Sequence, residues 1–454
     1  MKRIDVLPDD VLLGIFDFYV DTGPSSEGKP GVEVWQSLVH VCRRWRSLVF
    51  RSPRRLNLQL CCGPETPAKG TLDTWPALPL IVWGNMSIKS STDNIIAALG
   101  QSNRVCRVYL WNLADRQSED VLAAMQVPFP ELKELRLVSN GETVIPNSFL
   151  DGSAPQLRIV DFIGILFPGL PKLLLSSIHL VSLRLFNIPH SGYISPEAIV
   201  ALISVLSNLE ELTLQFRSPQ SRPDRETRSL PPSKRSVLPA LGYFQFSGVI
   251  EYLEDLVTRI DTPQLDRIYI YFFNQIDFDI PQLAQFINRT WEVGVRDAHV
   301  RFSDDFARVE LAPRSSILEI AISCREPDWQ LSSIEQICNS SLHPLSTVED
   351  LYIEHRYSQL VWKNDAIENT LWLQFLRPFT AVKNLCLSEE FAPGIAAALQ
   401  ELVGGRIIEV LPSLQNIFVM GLEPPGPFQE SIGQFVAARE LSNHPIAIFD
   451  MESI

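Results

Sequence analysis

Histidine, cysteine and carboxylate side chains hold metals, attack carbonyls and move protons, so their spacing is the first test of a chain for chemistry. Across these 454 residues the seven histidines are His40, His179, His190, His299, His343, His355 and His444. They form no His-x-x-x-His pair and meet no carboxylate at metal-ligand spacing. The seven cysteines, Cys42, Cys61, Cys62, Cys106, Cys324, Cys338 and Cys386, contain no Cys-x-x-Cys. Adjacent Cys61 and Cys62, beside Gly63-Pro64, read as apolar filler at a strand end rather than a redox pair. No Gly-x-Ser-x-Gly elbow, phosphate-binding loop or Gly-x-Gly-x-x-Gly fingerprint occurs. The expectation is a protein with no catalytic residues, no metal and no cofactor. A diffuse active site is the catalytic alternative, and turnover of some substrate by the purified chain would reveal it.

The charge is uneven. Residues 1–60 carry 9 Lys+Arg and 7 Asp+Glu, so the remaining 30 and 46 supply nearly all of the net −14. An acidic body argues against nucleic acid as a partner, because phosphate neutralisation needs a basic face. Scattered cysteines in a chain this long fit a reducing compartment, and MKRIDVLPDD lacks the apolar run of a signal peptide, so an intracellular site, cytoplasmic or nuclear, is expected. Pro168, Pro171, Lys172 and His179 interrupt the richest apolar stretch, Phe162 to Leu183, which reads as buried sequence and not as a membrane span.

What elements would position functional groups? Pro8 can open a helix, Asp9 and Asp10 suit its positive end, and Val11, Leu12, Ile15, Phe16 and Tyr19 follow at helical spacing. A second helix is expected over Leu38, Val41, Cys42, Trp45, Leu48 and Val49, stopped by Ser52-Pro53. Between them DTGPSSEGKPG reads as a loop. Two short helices bury little apolar surface alone, so a partner or the following domain must complete their core.

Leu7-Pro8-Asp9-Asp10-Val11-Leu12, Ile15-Phe16 and Leu38-Val39-His40-Val41-Cys42-Arg43-Arg44-Trp45-Arg46 together resemble the F-box. The resemblance implies a helical domain over 1–55 that docks on a Skp-type adaptor and, through it, a cullin. It places adaptor contact on Leu7, Pro8, Leu12, Ile15, Phe16, Leu38, Val41, Cys42 and Trp45. The loop from Asp21 to Glu33 is longer than the usual F-box connection. Arg43, Arg44, Arg46, Arg51, Arg54 and Arg55 read as a solvated basic face, with a nuclear-import signal as the sharper alternative.

After Arg54 an apolar-x-x-apolar-x-apolar unit recurs. Its instances include Leu132/Leu135/Leu137, Leu157/Val160/Phe162, Leu180/Leu183/Leu185, Leu209/Leu212/Leu214, Leu241/Phe244/Phe246, Leu265/Ile268/Ile270, Ile317/Ile320/Ile322, Val348/Leu351/Ile353, Val382/Leu385/Leu387 and Leu414/Ile417/Val419. Most follow a turn such as PFPELKELRL or VLPSLQNIFV, and helical patterns fill the gaps, at Ser195–Leu206, Val249–Ile260, Pro281–Arg289 and Ala392–Val403. One wide gap before Ile317 suggests a degenerate unit near Val300–Phe302. Strand, turn and helix at this period predict an α/β solenoid, each unit burying its apolar face on its neighbours. A doubly wound α/β domain is the alternative.

The spacing is similar to leucine-rich repeats, although the consensus Asn falls in register only at Asn140. The expected layout is an F-box over 1–55, irregular first repeats over 56–104, and an irregular leucine-rich-repeat-like array over 105–454. The whole chain resembles a large F-box group of mushroom-forming fungi, most visibly from Leu345 to Val419. That resemblance implies a substrate-recognition subunit of a Skp–cullin–F-box ubiquitin ligase holding a protein target. A scaffold that binds the adaptor without directing degradation is the alternative. The segment Arg217–Arg235 reads as an inserted loop, with phosphorylation as a sharper possibility. Target contact is expected at Lys133, Glu134, Arg136, Arg158, Arg184, Glu210, Asp266, Arg267, Glu349, Asp350 and Lys383, which lie between the apolar strand positions.

Overall fold

Helix α1 (Asp9–Asp21) begins just after Pro8, with Asp9 and Asp10 in its first turn. The expected second helix is two, α2 (Val34–Val41) and α3 (Arg43–Arg51), because Cys42 adopts extended backbone (φ −159°, ψ 170°). Its thiol accepts a hydrogen bond from the Trp45 N–H at 3.5 Å, doing the work of a capping hydroxyl. The break turns Trp45 onto Phe16, with ring centroids 4.7 Å apart. Arg44 then ties α3 to the start of α1, donating to the Asp9 carboxylate and the Leu7 carbonyl, both at 2.6 Å. On the other side Trp35 and Phe50 pack on Trp75, 5.3 and 6.0 Å between centroids, so the sequence that follows completes this small core.

This computed structural model describes residues 7–21, 34–86, 92–113, 117–219, 234–274, 278–290, 294–312, 316–340, 342–355, 368–402, 406–420 and 427–450. Most of the Asp21–Glu33 and Arg217–Arg235 loops lies outside the described residues. The chain forms two units, one of Met1–Tyr193 with Val205–Leu209, the other of Ile194–Ser204 with Glu210–Ile454.

In the first unit α1 to α3 are followed by β1 (Leu60–Cys62), α4 (Ala68–Thr74), β2 (Leu80–Asn85), α5 (Thr92–Leu99), β3 (Val105–Trp111), α6 (Gln117–Ala124), β4 (Glu134–Val144), β5 (Ile159–Leu166), α7 (Leu170–Ser176) and β6 (Ser182–Ile188). The six strands pair in parallel and in chain order, with Leu135 opposite Val160 and Val160 opposite Leu183. Burial alternates along β3 from Cys106 to Trp111, so one face of the strand is covered and the other is more open. A doubly wound sheet would shuffle strand order and bury both faces, and this unit does neither. Between β4 and β5 the register shifts, and Gly164 (φ +67°) lies where an added Cβ would meet the Ser139 carbonyl oxygen at 2.5 Å. Only glycine fits both constraints.

The second unit runs α8 (Pro196–Ile203), β7 (Glu211–Phe216), β8 (Ser236–Val237), β9 (Tyr243–Gly248), α9 (Ile250–Val257), β10 (Ile260–Asp261), β11 (Arg267–Phe272), α10 (Pro281–Thr290), β12 (Asp297–Phe302), β13 (Phe306–Leu311) and β14 (Ile317–Ser323). It continues with α11 (Pro327–Asn339), β15 (Asp350–His355), α12 (Asn369–Leu376), β16 (Asn384–Leu387), α13 (Ala392–Gln400), β17 (Asn416–Val419), α14 (Pro427–Leu441) and β18 (Ala447–Asp450). Here the ladder departs from chain order, reading β7-β9-β11-β14-β13-β12-β15-β16-β17-β18. The wide gap before Ile317 therefore holds a β12–β13 hairpin rather than one degenerate repeat. β13 is antiparallel to both neighbours. This register sets Arg301 opposite Arg308 and Glu310 opposite Glu319, like charge facing like. Diagonal pairs resolve the conflict: Arg301 bonds Glu310, and Arg308 reaches Glu319 at 3.3 Å.

The apolar units form the core as their spacing predicts, with Leu132, Leu135 and Leu137 each fully buried. Ile317 is the exception. In β14 every residue from Leu318 to Ile322 is buried, and Ile317, at the strand's start, is only half-buried.

Candidate functional site

The nine expected adaptor contacts separate into an inner and an outer set. Leu12, Phe16 and Leu38 are buried within the helical module, and Leu7, Cys42 and Trp45 are half-buried. Pro8, Ile15 and Val41 face outward. Ile15 joins Val11, Phe18 and Tyr19 in a second apolar stripe on α1, with Phe18 73% exposed. Val11, Ile15, Phe18 and Tyr19 follow i, i+4, i+7, i+8 spacing, which places them on one helical face. Sequence reading missed Phe18. The signal was available: α1 is apolar almost all round, and its inner stripe of Leu12, Leu13 and Phe16 already supplies the module core.

The open strand faces carry most of the expected target contacts. In the first unit Glu134 accepts from Arg107 at 3.2 Å and from the Tyr109 hydroxyl, while Arg136 lies 5.5 Å from the Tyr109 ring. Burial and the bond to Glu134 push the Tyr109 phenol up to about 12. Arg136 and Arg184 approach Asp161 from either side, at 3.9 and 4.0 Å. Lys133 and Arg158 precede their strands and are exposed. Together with Arg104, Arg107 and Glu134 they line a cleft of about 460 Å³.

In the second unit Arg267 stacks over Tyr243 at 5.3 Å and approaches Asp266 at 3.7 Å, while Tyr243 packs against Tyr269. The exposed Glu210 contributes its backbone carbonyl, which accepts from the Gly242 and Tyr243 N–H groups. Farther along, Tyr271 donates to Glu319 at 2.9 Å, and Arg301 bridges Glu310 and Glu354. His299 stacks on Tyr352 at 4.4 Å and faces Glu354 at 3.6 Å. These neighbours, His299 first and then Arg301, hold the Glu354 carboxyl at about 2.

Lys383 pairs with Glu349 at 2.6 Å, and Asp350 is buried between Arg296 and Asn384. Asp350 is therefore committed to its neighbours and offers little to a target. Most of this surface is neutralised within itself and preorganised. Among the described residues no group of three or more His, Cys, Asp or Glu could hold a metal ion. Nor is any described helix long and apolar enough to cross a membrane.

A side-chain ladder accompanies the strands. Asn140 donates to Asn112 at 2.6 Å, and Asn112 donates to Asn85 at 2.7 Å. Asn140 is thus one of three such residues, correcting the expectation of a single one; Asn112 takes its place through a left-handed backbone (φ 56°). Consecutive parallel strands, one-sided burial and this ladder give the first unit a leucine-rich-repeat-like α/β architecture. The second unit is a related α/β array interrupted by the hairpin.

No protein-family model matches the chain, and no curated protein matches it. Among solved structures it is similar to a leucine-rich-repeat-containing protein of Legionella pneumophila, at 12% identity and a TM-score of 0.28, over 85% of this chain and 98% of that one. It is also similar to an internalin of Listeria monocytogenes, at 10% identity and a TM-score of 0.28, over 98% and 96%. At those scores the likeness adds nothing to what strand order and burial define.

Proposed function

We propose that the chain is a non-enzymatic substrate-recognition subunit of a Skp–cullin–F-box ubiquitin ligase. Its helical module docks on the Skp-type adaptor, and its strand–helix arrays hold a protein target. The observation that carries this reading is the outer stripe of α1. Val11, Ile15 and Phe18, with Val41 exposed on α2, offer apolar surface to solvent on a module whose own core is already complete. The F-box resemblance supplies the partner that such a stripe fits. Target and ubiquitin carrier are then held on one assembly, and the rate gain comes from effective concentration, not from side-chain chemistry on this chain.

The direct test is reconstitution. Purified chain and a Skp-type adaptor should co-elute as one complex in size-exclusion chromatography, and that complex should recruit a cullin. Separate elution at micromolar concentrations, with the chain folded, would refute the reading. Deleting residues 1–50 is a poor control, since it strips Trp35 and Phe50 from Trp75.

A further inference from the structure

The cleft in the first unit carries a local excess of positive charge. Arg104, Arg107, Lys133 and Arg158 line it against Glu131 and Glu134, four cations to two anions, in a protein of net charge −14. Three of the six already have partners. Arg107 is paired with Glu134, which also accepts from Tyr109. Arg104 donates to the backbone carbonyls of Leu78 and Pro76 at 3.1 and 3.3 Å.

Lys133 and Arg158 differ. Both are exposed, and among the described residues neither side chain has a hydrogen bond or ion pair. The Arg158 N–H donates to the Lys133 carbonyl at 2.8 Å, which sets the two residues side by side where neighbouring strands begin. Adjacent strands lie about 4.8 Å apart, so both cations can reach one anionic group. Like charges held this close repel until an anion lies between them.

We propose that this cleft binds an acidic peptide segment, with carboxylate side chains bridging Lys133 and Arg158. The inference rests on the target-binding role above and names the chemistry of the target. A peptide is favoured over a nucleic acid for two reasons. These two cations can hold one or two carboxylates, whereas nucleic-acid affinity comes from many neutralised phosphates. Pro79 and Val181 also line the cleft, giving apolar surface suited to aliphatic side-chain stems.

The test uses the full chain without adaptor, so it stands or falls separately from adaptor docking. Fluorescence anisotropy would follow a labelled hexaglutamate peptide, with hexaglutamine as its uncharged match. Hexaglutamate should bind at least tenfold tighter, and the difference should shrink between 50 and 500 mM salt. Lys133→Glu with Arg158→Glu should lower its affinity at least tenfold. Lys172→Glu with Arg377→Glu makes the same change in net charge at residues that do not line the cleft and should leave binding within twofold. Equal binding of the two peptides, an unaffected cleft variant, or equal loss in the control variant would each overturn the proposal. Circular dichroism melts confirm that all variants are folded.

Discussion

Replacing Phe18 with Asp separates adaptor docking from folding more cleanly than any inner residue can. Burying a whole Phe side chain contributes about 1.5–3 kcal/mol, and Phe18 is 73% exposed, so burial at an interface would supply about 1–2 kcal/mol. A carboxylate in the same desolvated position costs about 2 kcal/mol more. The sum, about 3–4 kcal/mol, corresponds to roughly a 100- to 1000-fold weaker complex at 1.4 kcal/mol per tenfold. Calorimetric titration of the chain into a Skp-type adaptor reads this directly, and a thermal melt of the free chain should shift by no more than a degree or two. Leu12→Asp should behave differently: Leu12 is fully buried, so the charge unfolds the module and lowers the melting temperature before binding is considered. Adaptor affinity unchanged by Phe18→Asp, at an unchanged melting temperature, would refute the assignment of the outer stripe.

Three other outcomes follow from particular contacts. Gly164→Ala should cost about 2–3 kcal/mol in urea denaturation, since it combines a left-handed alanine with a backbone collision. Glu354 ionises at about 2 in the folded protein, so its ion pairs stabilise fully above the unfolded carboxylate range near 4.3 and are lost as pH falls toward 2. Exposure of its side chain limits the effect to about 1 kcal/mol, and burial raises the Asp297 carboxyl, which pulls the opposite way. Glu354→Gln should therefore narrow the gap in melting temperature between pH 7 and pH 3, and an unchanged gap would count against the pairing. Asp350→Lys should destabilise the second unit rather than act on a target alone, because it sets a cation against Arg296 in a buried position; a normal melt would contradict this.

The apolar triples and turn residues were enough to place most strands, because each unit repeats the same burial and the same entry turn. Where the sequence misled, the cause is specific. Leu38, Val41, Trp45 and Leu48 keep helical spacing straight through Cys42, so nothing in periodicity announces the extended residue that ends α2. β13 alternates apolar and polar residues as β11 and β12 do, and alternation carries no information about strand direction. At Ile317 the spacing places the unit two residues late, since Leu318 and Ile320 pair with Ile268 and Ile270; a slip of two keeps Ile320 and Ile322 inward and misplaces only Ile317. Functional side chains were harder still. Most charged strand residues were legible as lying on the open face, Asp350 being buried instead, but which of them neutralise each other depends on cross-strand register, and the pairing of Lys383 with Glu349 spans 34 positions.

The reversed hairpin has a consequence for how such an array can change length. β11 and β14 are parallel neighbours, and β12 and β15 are parallel neighbours, while β13 alone runs the other way. Two consecutive reversals restore direction, so β14 and β15 point the same way whether or not the hairpin lies between them. Excising the pair would leave β11, β14 and β15 as successive rungs, each joined to the next through one helix, α10 or α11. A single extra strand would leave every later rung inverted, with its connecting helix delivered to the wrong edge. Arrays of this kind can therefore gain or lose antiparallel strands by twos, and the β12–β13 pair is a spacer whose parity lets the ladder resume beyond it.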